Sequence, residues 1–196
     1  MYLCFQNEFI FSEIYMKTLE TERLILRGWR HDDLDDLYGI YKNPKIGLMG
    51  NWEPHSSKEA SLTALNSFIE DNGRWAIVLK ENEKVIGGIR IYPDENRGNF
   101  SARNSAKYIN YILAEDFWGK GYMSEAVKRA VKYAFDEMSI ELLTAFHHPD
   151  NIRSKRVLEK CGFEYEVTIE RGIKNYDGQT FDSVCHSILK SDYYSK

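Results

Sequence analysis

Cysteine is scarce in this sequence, and its positions suggest neither a metal site nor a disulfide framework. Cys4, Cys161 and Cys185 are far apart and odd in number, and no Cys-x-x-Cys pair occurs. That pattern indicates neither a zinc site nor a disulfide scaffold. No other cluster of metal ligands and no Ser-His-Asp spacing is visible. We therefore expect a protein without a metal, in a reducing, cytoplasmic compartment.

Long apolar runs and an excess of basic residues are also missing. No apolar run approaches the length of a membrane span. The formal net charge is −4, which argues against binding nucleic acid through a basic surface. The sequence thus predicts no membrane partner and no nucleic-acid partner. The acidic balance instead favours a cationic substrate, through long-range steering rather than contact.

The chain is most simply one domain. It has 196 residues without an internal repeat, linker or low-complexity segment, which is enough for a substantial core. We assign residues 16–196 to this domain. Residues 1–15 lack the basic start and small-residue cleavage site of a signal peptide. They form an extension, an alternative translation start or a short docked helix, and the sequence leaves these three open.

Apolar periodicity predicts an α/β fold with a mixed sheet. Period-2 and β-branched segments indicate about six to seven strands, and segments of helical spacing separate several of them. We expect a mostly antiparallel sheet with helices on both faces. The segment 45–55, which contains Gly, Trp and Pro, is predicted to be a loop. The segment 93–103 is also predicted to be a loop, and its Asp94 and Glu95 are candidates for attracting a cationic substrate.

The stretch 108–135 carries the clearest functional pattern. A short strand ends near Leu113, the turn Gly119-Lys120-Gly121 follows, and an amphipathic helix comes next. Glycines let the backbone approach a ligand closely, and the first turn of a helix offers unpaired N–H groups, so this arrangement suits a phosphate. The alternative is a plain tight turn with a helix cap. The Walker pattern is absent, and too much chain precedes the turn for a dinucleotide fingerprint.

Other pieces of sequence accompany this turn in a fixed order. The matching pieces are Leu19–Arg27, Trp118–Tyr122, Ser124–Ala126, Pro149–Ser154 and Glu159–Phe163. Together they resemble the GNAT superfamily of acetyl-CoA-dependent N-acetyltransferases. More narrowly, they are similar to the branch that includes the ribosomal-protein N-terminal (Rim-type) acetyltransferases.

The resemblance implies the GNAT acyl-CoA N-acyltransferase fold, with acetyl-CoA as co-substrate. The backbone of residues 119–124 would bind the pyrophosphate, and the main chain of residues 112–114 would pair with the pantetheine arm. Asn151 would hydrogen-bond the pantetheine, although its position also fits a helix N-cap. The residues assigned to coenzyme A in this way are Ile112, Leu113, Ala114, Trp118, Gly119, Lys120, Gly121, Tyr122, Met123, Ser124, Asn151 and Ser154.

The acid and base of the resembled family are missing. Tyr108 stands where many relatives have a general-base Glu, and Leu158 stands where many have a Tyr that protonates the thiolate. We therefore expect direct attack of the amine on the thioester in a ternary complex, which needs no nucleophilic side chain. Cys161 is accordingly expected in the core. The candidates for proton transfer are Tyr108, Asn110 and His147, and the backbone N–H of Leu113 is the candidate oxyanion donor.

Two functions from different classes remain at this point. The first is an N-acetyltransferase that acts on a primary amine, such as a protein N-terminus, a polyamine, an aminoglycoside-like drug or another small amine. The second is a non-catalytic GNAT-fold module that binds acyl-CoA or a partner protein. The missing acid and base favour the second, whereas the intact glycine turn favours the first. Either is compatible with a monomer or a homodimer.

Overall fold

An eight-stranded sheet forms the centre of the computed structural model, which describes residues 16–102 and 105–195. The N-terminal segment 1–15 lies outside the described residues. The strands are β1 (Leu19–Glu20), β2 (Leu24–Gly28), β3 (Arg74–Leu79), β4 (Val85–Pro93), β5 (Ala106–Leu113), β6 (Leu142–His147), β7 (Glu164–Lys174) and β8 (Thr180–Leu189). The estimate of six to seven strands was one short, because β1 has only two residues and pairs with β2 at Leu19↔Leu26. Such a short strand produces no detectable periodicity.

Seven helices accompany the sheet in the described residues. They are α1 (Leu34–Tyr41), α2 (Pro44–Gly50), α3 (Lys58–Glu70), α4 (Asn99–Ala102), α5 (Tyr122–Glu137), α6 (Ile152–Lys160) and α7 (Lys190–Ser195). Short 3₁₀ turns occupy His31–Asp33 and Glu115–Phe117.

Helix α2 corrects the predicted loop 45–55. The side chain of Asn43 accepts a hydrogen bond from the Lys45 N–H at 3.0 Å, and Pro44 occupies the first helical position. An Asn cap followed by Pro starts a helix because the cap satisfies a free N–H and proline has none to satisfy. The helix ends at Asn51, whose φ of 62° is left-handed. Only the second half of the segment is therefore irregular.

The sheet is antiparallel except at one place. The strand order is β1-β2-β3-β4-β5-β6-β8-β7, and among the described strands only β5 and β6 are parallel neighbours. These two strands pair over three residues, from Ala106↔Leu142 to Tyr108↔Thr144. Beyond Tyr108, β5 continues to Leu113 and β6 continues to His147 without pairing to one another. The sheet consequently opens into a gap at the carboxyl ends of its two central strands.

Helices cover both faces, as expected. On one face, α5 packs its apolar residues, such as Val127 and Val131, on residues of β2 to β6 in the larger core. On the other, α1 and α3 pack around Trp29, Tyr41 and Phe68 in a second core. None of the helices in the described part of the chain has the length and apolar character needed to cross a membrane.

Candidate functional site

A cleft of about 690 Å³ lies at the gap between β5 and β6. Its walls come from the end of β5, the turn before α5, the start of α6, and α2 with the residues after it. Ten of the twelve residues assigned to coenzyme A line it: Ile112, Leu113, Trp118, Gly119, Gly121, Tyr122, Met123, Ser124, Asn151 and Ser154. Ala114 and Lys120 are not among the described residues that line it. The Ala114 N–H donates to Ile86 O (2.8 Å), and the Lys120 ammonium lies over the Phe117 ring.

Both glycines of the turn have left-handed backbone conformations. The φ angle is 77° at Gly119 and 84° at Gly121, a region that side chains rarely adopt. A Cβ at Gly119 would meet no described atom within 4 Å. The left-handed backbone conformation therefore requires the glycines, and so would the close approach of a ligand to the turn. Crowding by other residues of the chain is not the reason.

The turn ends at the N-terminus of the 16-residue helix α5. The first helical hydrogen bond runs from the Glu125 N–H to Gly121 O (3.1 Å). The N–H groups of the three preceding residues therefore have no acceptor within the helix. Tyr122, Met123 and Ser124 all line the cleft. Three N–H groups and the positive end of a helix dipole at one cleft wall make a site for an anion.

A cluster from the loop between β1 and β2 holds this turn in place, and the sequence patterns did not reveal it. Glu125 accepts hydrogen bonds from Thr21 Oγ1 (2.6 Å), the Arg23 N–H (2.9 Å) and Arg23 Nε (2.7 Å). Arg23 Nη1 also donates to Lys120 O (3.1 Å), and its guanidinium covers the Tyr122 ring at 4.3 Å. Thr21 and Arg23 thus clamp both the turn and the first turn of α5.

The backbone of Leu113 is oriented toward the gap. Residues of an antiparallel pair alternate between hydrogen-bonded and non-bonded positions. Because the Ala114 N–H bonds to β4, the N–H and C=O of Leu113 point away from β4, toward the β6 side. The Leu113 carbonyl accepts from Trp118 Nε1 at 2.8 Å. The Leu113 N–H, the candidate oxyanion donor, points into the opening between the strands.

The start of α6 forms the facing wall. The Asn151 side chain caps the helix by accepting from the Ser154 N–H at 3.0 Å. Ser154 Oγ lies 2.9 Å from Tyr111 Oη. Burial raises the pKa of the Tyr111 phenol, so this group stays protonated at neutral pH. Sequence reasoning missed Tyr111, because only the fold shows that β5 points this phenol at α6.

The structure places Tyr108 and His147 away from the cleft. The Tyr108 hydroxyl accepts from the Phe146 N–H at 3.3 Å, so it satisfies a β6 amide just beyond the paired residues. His147 is buried, with Nδ1 2.8 Å from His148 O and Nε2 3.2 Å from His186 Nε2. Burial lowers the pKa of His147. Since a carbonyl can only accept, Nδ1 carries the His147 proton and His186 donates to Nε2.

Acidic groups are few in the cleft. Of the described acidic residues, Glu115 and Asp150 line it. Hydrogen bonds from Lys45 (2.5 Å) and Asn43 (2.9 Å) hold the pKa of Glu115 below its ordinary value. These bonds also tie the start of α2 to the 3₁₀ turn that follows β5. Basic side chains are more numerous: Lys45, Arg153, Arg156 and Lys160 line the cleft.

Asp94 and Glu95 do not approach the cleft. The Asp94 carboxylate accepts from Thr144 Oγ1 (2.5 Å) and Arg97 Nε (3.2 Å). Its N–H donates to Ala106 O (3.2 Å), at the start of β5 and opposite the end that forms the site. Glu95 is exposed beside it. Their suggested role in attracting substrate is therefore not supported.

Cys161 lies in the core, as expected. It is 5% exposed, and its Sγ–H contacts Ser124 O at 3.6 Å. Burial raises the pKa of the thiol to about 12, which leaves little thiolate. Within residues 16–102 and 105–195, no group of three or more His, Cys, Asp or Glu is arranged to hold a metal ion.

Comparisons with known proteins agree with this architecture. The model of the acetyltransferase (GNAT) domain matches residues 23–164. The uncharacterized N-acetyltransferase p20 of Bacillus licheniformis is 29% identical over 91% of this chain and 99% of its own. The ribosomal protein uS5-alanine N-acetyltransferase of Escherichia coli (strain K12) is also 29% identical, over 93% of this chain and 95% of its own.

A solved structure shows the same fold. Spermidine N-acetyltransferase from Vibrio cholerae, crystallised with CoA and spermine, superposes with a TM-score of 0.72 at 21% identity. It covers 89% of this chain and 99% of its own. At that identity the likeness establishes the fold alone.

The family match spans well over half of the chain, and the relatives are matched along nearly their whole length. The expected GNAT fold and its Rim-type resemblance are confirmed, and an enzyme is favoured over a non-catalytic module. The chain belongs to the acetyltransferase (GNAT) family and is an N-acetyltransferase.

Proposed function

We propose that this enzyme transfers acetyl from acetyl-CoA to a primary amine, a protein N-terminus or a small amine, by direct attack in a ternary complex. The observation that carries the proposal is the shared cleft. It brings three free helix N–H groups, the Leu113 edge of β5 and the Tyr111–Ser154 pair to one opening in the sheet. The relatives named above, one acting on a ribosomal-protein alanine and one on spermidine, keep both acceptor classes in the proposal.

The chain's residues fit coenzyme A as an anionic, elongated ligand. The N–H groups of residues 122–124 and the two left-handed glycines suit its pyrophosphate. The Asn151 side-chain oxygen accepts the hydrogen bond of the helix cap, so the amide NH₂ remains available to donate to the pantetheine. Trp118 holds the Leu113 carbonyl and lies under Arg153, whose guanidinium is 4.4 Å from its ring centre. Trp118 thus shapes the wall between the phosphates and the thioester.

The reaction needs little from side chains beyond positioning. The amine nitrogen bonds to the thioester carbonyl carbon, and the Leu113 N–H donates to the oxyanion that develops. The C–S bond then breaks, and the amine proton passes to solvent. The thiolate takes its proton from solvent, because burial raises the pKa of Tyr111 and so makes its phenol a weaker acid. Tyr111 and Ser154, whose Oη and Oγ lie 2.9 Å apart, form the cleft wall beside it. Tyr108 and His147 have no part in this scheme because neither lines the cleft.

We also propose that the enzyme works in the cytoplasm. Cys161 and Cys185 are free thiols, which fits a reducing compartment. The proposal includes no metal, and it holds for a monomer or a homodimer.

Release of free thiol from acetyl-CoA across a panel of amines tests the function. The panel contains an N-terminal peptide, a polyamine and simple alkylamines, each with the wild type and with Cys161→Ala. We expect at least one amine to be acetylated, with both proteins active. Intact-protein mass spectrometry accompanies the assay, and an acetylated Cys161 thiol would rule out direct attack. Tight binding of acetyl-CoA without acetylation of any amine would contradict the proposed transferase activity.

A further inference from the structure

Helix α2 supplies one wall of the cleft, on the face of the sheet opposite to α5. Ile46 of α2 belongs to the second core, and Ile112 packs against it, whereas Met123 of α5 belongs to the larger core. All three line the cleft, so the cleft passes through the gap in the sheet from one face to the other. With the phosphates of coenzyme A at α5, as proposed above, the acceptor amine reaches the thioester from the α2 side.

The α2 wall is apolar and partly open to solvent. Leu48 and Met49 both line the cleft, and each is 37% exposed. Trp52 lines it as well, and its ring lies 4.9 Å from that of Tyr41. The ring also lies directly over Gly50, where a Cβ would be 1.6 Å from the indole. Ligand pockets are lined mainly by such fixed apolar side chains, because burying them against a ligand contributes affinity.

The charged groups that the structure describes at this wall neutralise one another. The Lys45 ammonium and the Glu115 carboxylate are paired at 2.5 Å. Among the described acidic residues, the other one that lines the cleft is Asp150, which lies between β6 and α6 on the facing wall. A polyamine would bring further ammonium groups to a wall without a spare carboxylate. The α2 side thus suits an acceptor whose remaining atoms are uncharged.

We propose that the acceptor is a primary amine with an apolar tail, such as an alkylamine, and that Leu48 and Met49 select it. This inference rests on the proposed function and names its substrate class. The tail removes both side chains from water, which stabilises the complex in proportion to the apolar area buried. The apolar wall and the basic side chains of the cleft also disfavour an ammonium group. They therefore favour the free amine, with its proton left in solvent, although Tyr108 replaces the general base of many relatives.

Hexylamine and 1,5-diaminopentane form a matched pair, because they have the same length and differ in a terminal methyl or amino group. The kcat/KM of each is measured by thiol release and divided by its free-amine fraction. We expect wild type to prefer hexylamine at least tenfold. Its kcat/KM should also rise on the order of threefold for each methylene added from propylamine to hexylamine. A preference for the diamine, or rates that do not depend on tail length, would overturn the inference.

Substitutions on α2 test whether this wall carries the preference. Leu48→Asn and Met49→Gln keep the approximate size of each side chain and make it polar. We expect each to reduce the preference for hexylamine at least threefold. Leu62→Asn is the matched control, because Leu62 is 40% exposed on the neighbouring helix α3 and is not among the described residues that line the cleft. An equal loss in this control, or an unchanged preference in both α2 variants, would contradict the role of the wall.

A binding measurement separates failure of the wall from failure of the transferase. Calorimetry of N-hexylacetamide, the acetylated product, with the CoA-loaded protein needs no turnover. Binding to wild type that weakens at least fivefold when Leu48→Asn and Met49→Gln are combined supports the wall even if no amine is acetylated. Equal binding to the two proteins, or no binding to wild type, overturns the inference even if other amines are acetylated.

Discussion

Gly121 shows at a single residue how the chain combines backbone geometry with ligand approach. Its φ of 84° is costly for any residue with a Cβ, and a Cβ there would have Arg23 Nη2 as its nearest atom, at 3.5 Å. The position is therefore strained rather than crowded when a side chain is added. It also immediately precedes the free N–H groups of α5. A side chain at this position would stand where a phosphate must approach.

Gly121→Val should weaken acetyl-CoA binding at least tenfold, or about 1.4 kcal/mol, because the side chain blocks the phosphate site. Calorimetry on the folded variant measures this. Gly178→Val is the matched control, since Gly178 has a φ of 85° with no atom near its Cβ position and lies between β7 and β8. It incurs the same backbone strain but should keep wild-type affinity. Equal affinity in all three proteins would remove the turn from the coenzyme site.

At the scale of elements, the ion pair between the β1–β2 loop and α5 determines how the glycine turn is held. Arg23 and Glu125 are 102 positions apart, yet they share a two-point contact that also reaches the Lys120 carbonyl. Exposed ion pairs alone stabilise a fold little. This pair is partly buried and is bonded to backbone on both sides of the turn. Its main effect should therefore fall on ligand affinity.

Arg23→Gln should raise the Kd for acetyl-CoA about fivefold, roughly 1 kcal/mol, because the turn loses its support. Glu125→Gln should do the same, and a double-mutant cycle should show that the two effects are not additive. Lys17→Gln is the control, because Lys17 pairs with Glu137 at the other end of α5, in a bridge of the same 2.6 Å length that is more exposed. Fully additive effects, or an equal change in Lys17→Gln, would contradict the clamp.

The separation of interacting residues along the chain explains which features could be predicted from the sequence. Strands β2 to β8 and helix α5 were recognisable because their signals lie within one segment: an apolar period and the glycine turn. The Arg23 clamp and the Tyr111–Ser154 pair were not. Each joins residues far apart in the chain, so only the fold brings them together. The burial of His147 could not be predicted for the related reason that a turn histidine and a buried one look alike in sequence.

At the scale of the whole molecule, the net charge and the local charge at the site have opposite signs. The chain carries −4 overall, but the cleft wall formed by α6 presents Arg153, Arg156 and Lys160. A negative molecule with a positive cleft repels an anionic ligand elsewhere and attracts it at one place. The acidic balance was first taken to favour a cationic acceptor. In the structure, the charges that face the cleft instead suit the phosphates of the donor.

The affinity for acetyl-CoA should therefore fall as salt is added, and Arg156 should account for part of that fall. Arg156 is exposed and lines the cleft. Its neighbour Lys155 is also exposed and lies on the same helix, but it points toward Glu159, with Nζ 3.9 Å from Oε1. Removing either charge changes the net charge equally, so a purely global field would weaken binding equally in Arg156→Gln and Lys155→Gln.

A charge at the ligand should instead make Arg156→Gln the weaker binder, by about threefold at low ionic strength, where the Debye length is about 30 Å at 0.01 M. The difference should shrink toward one at about 1 M salt, where that length is only about 3 Å. Titrations of both variants at the two ionic strengths decide the matter, and matching affinities at low salt would show that the cleft wall does not contact the coenzyme's phosphates.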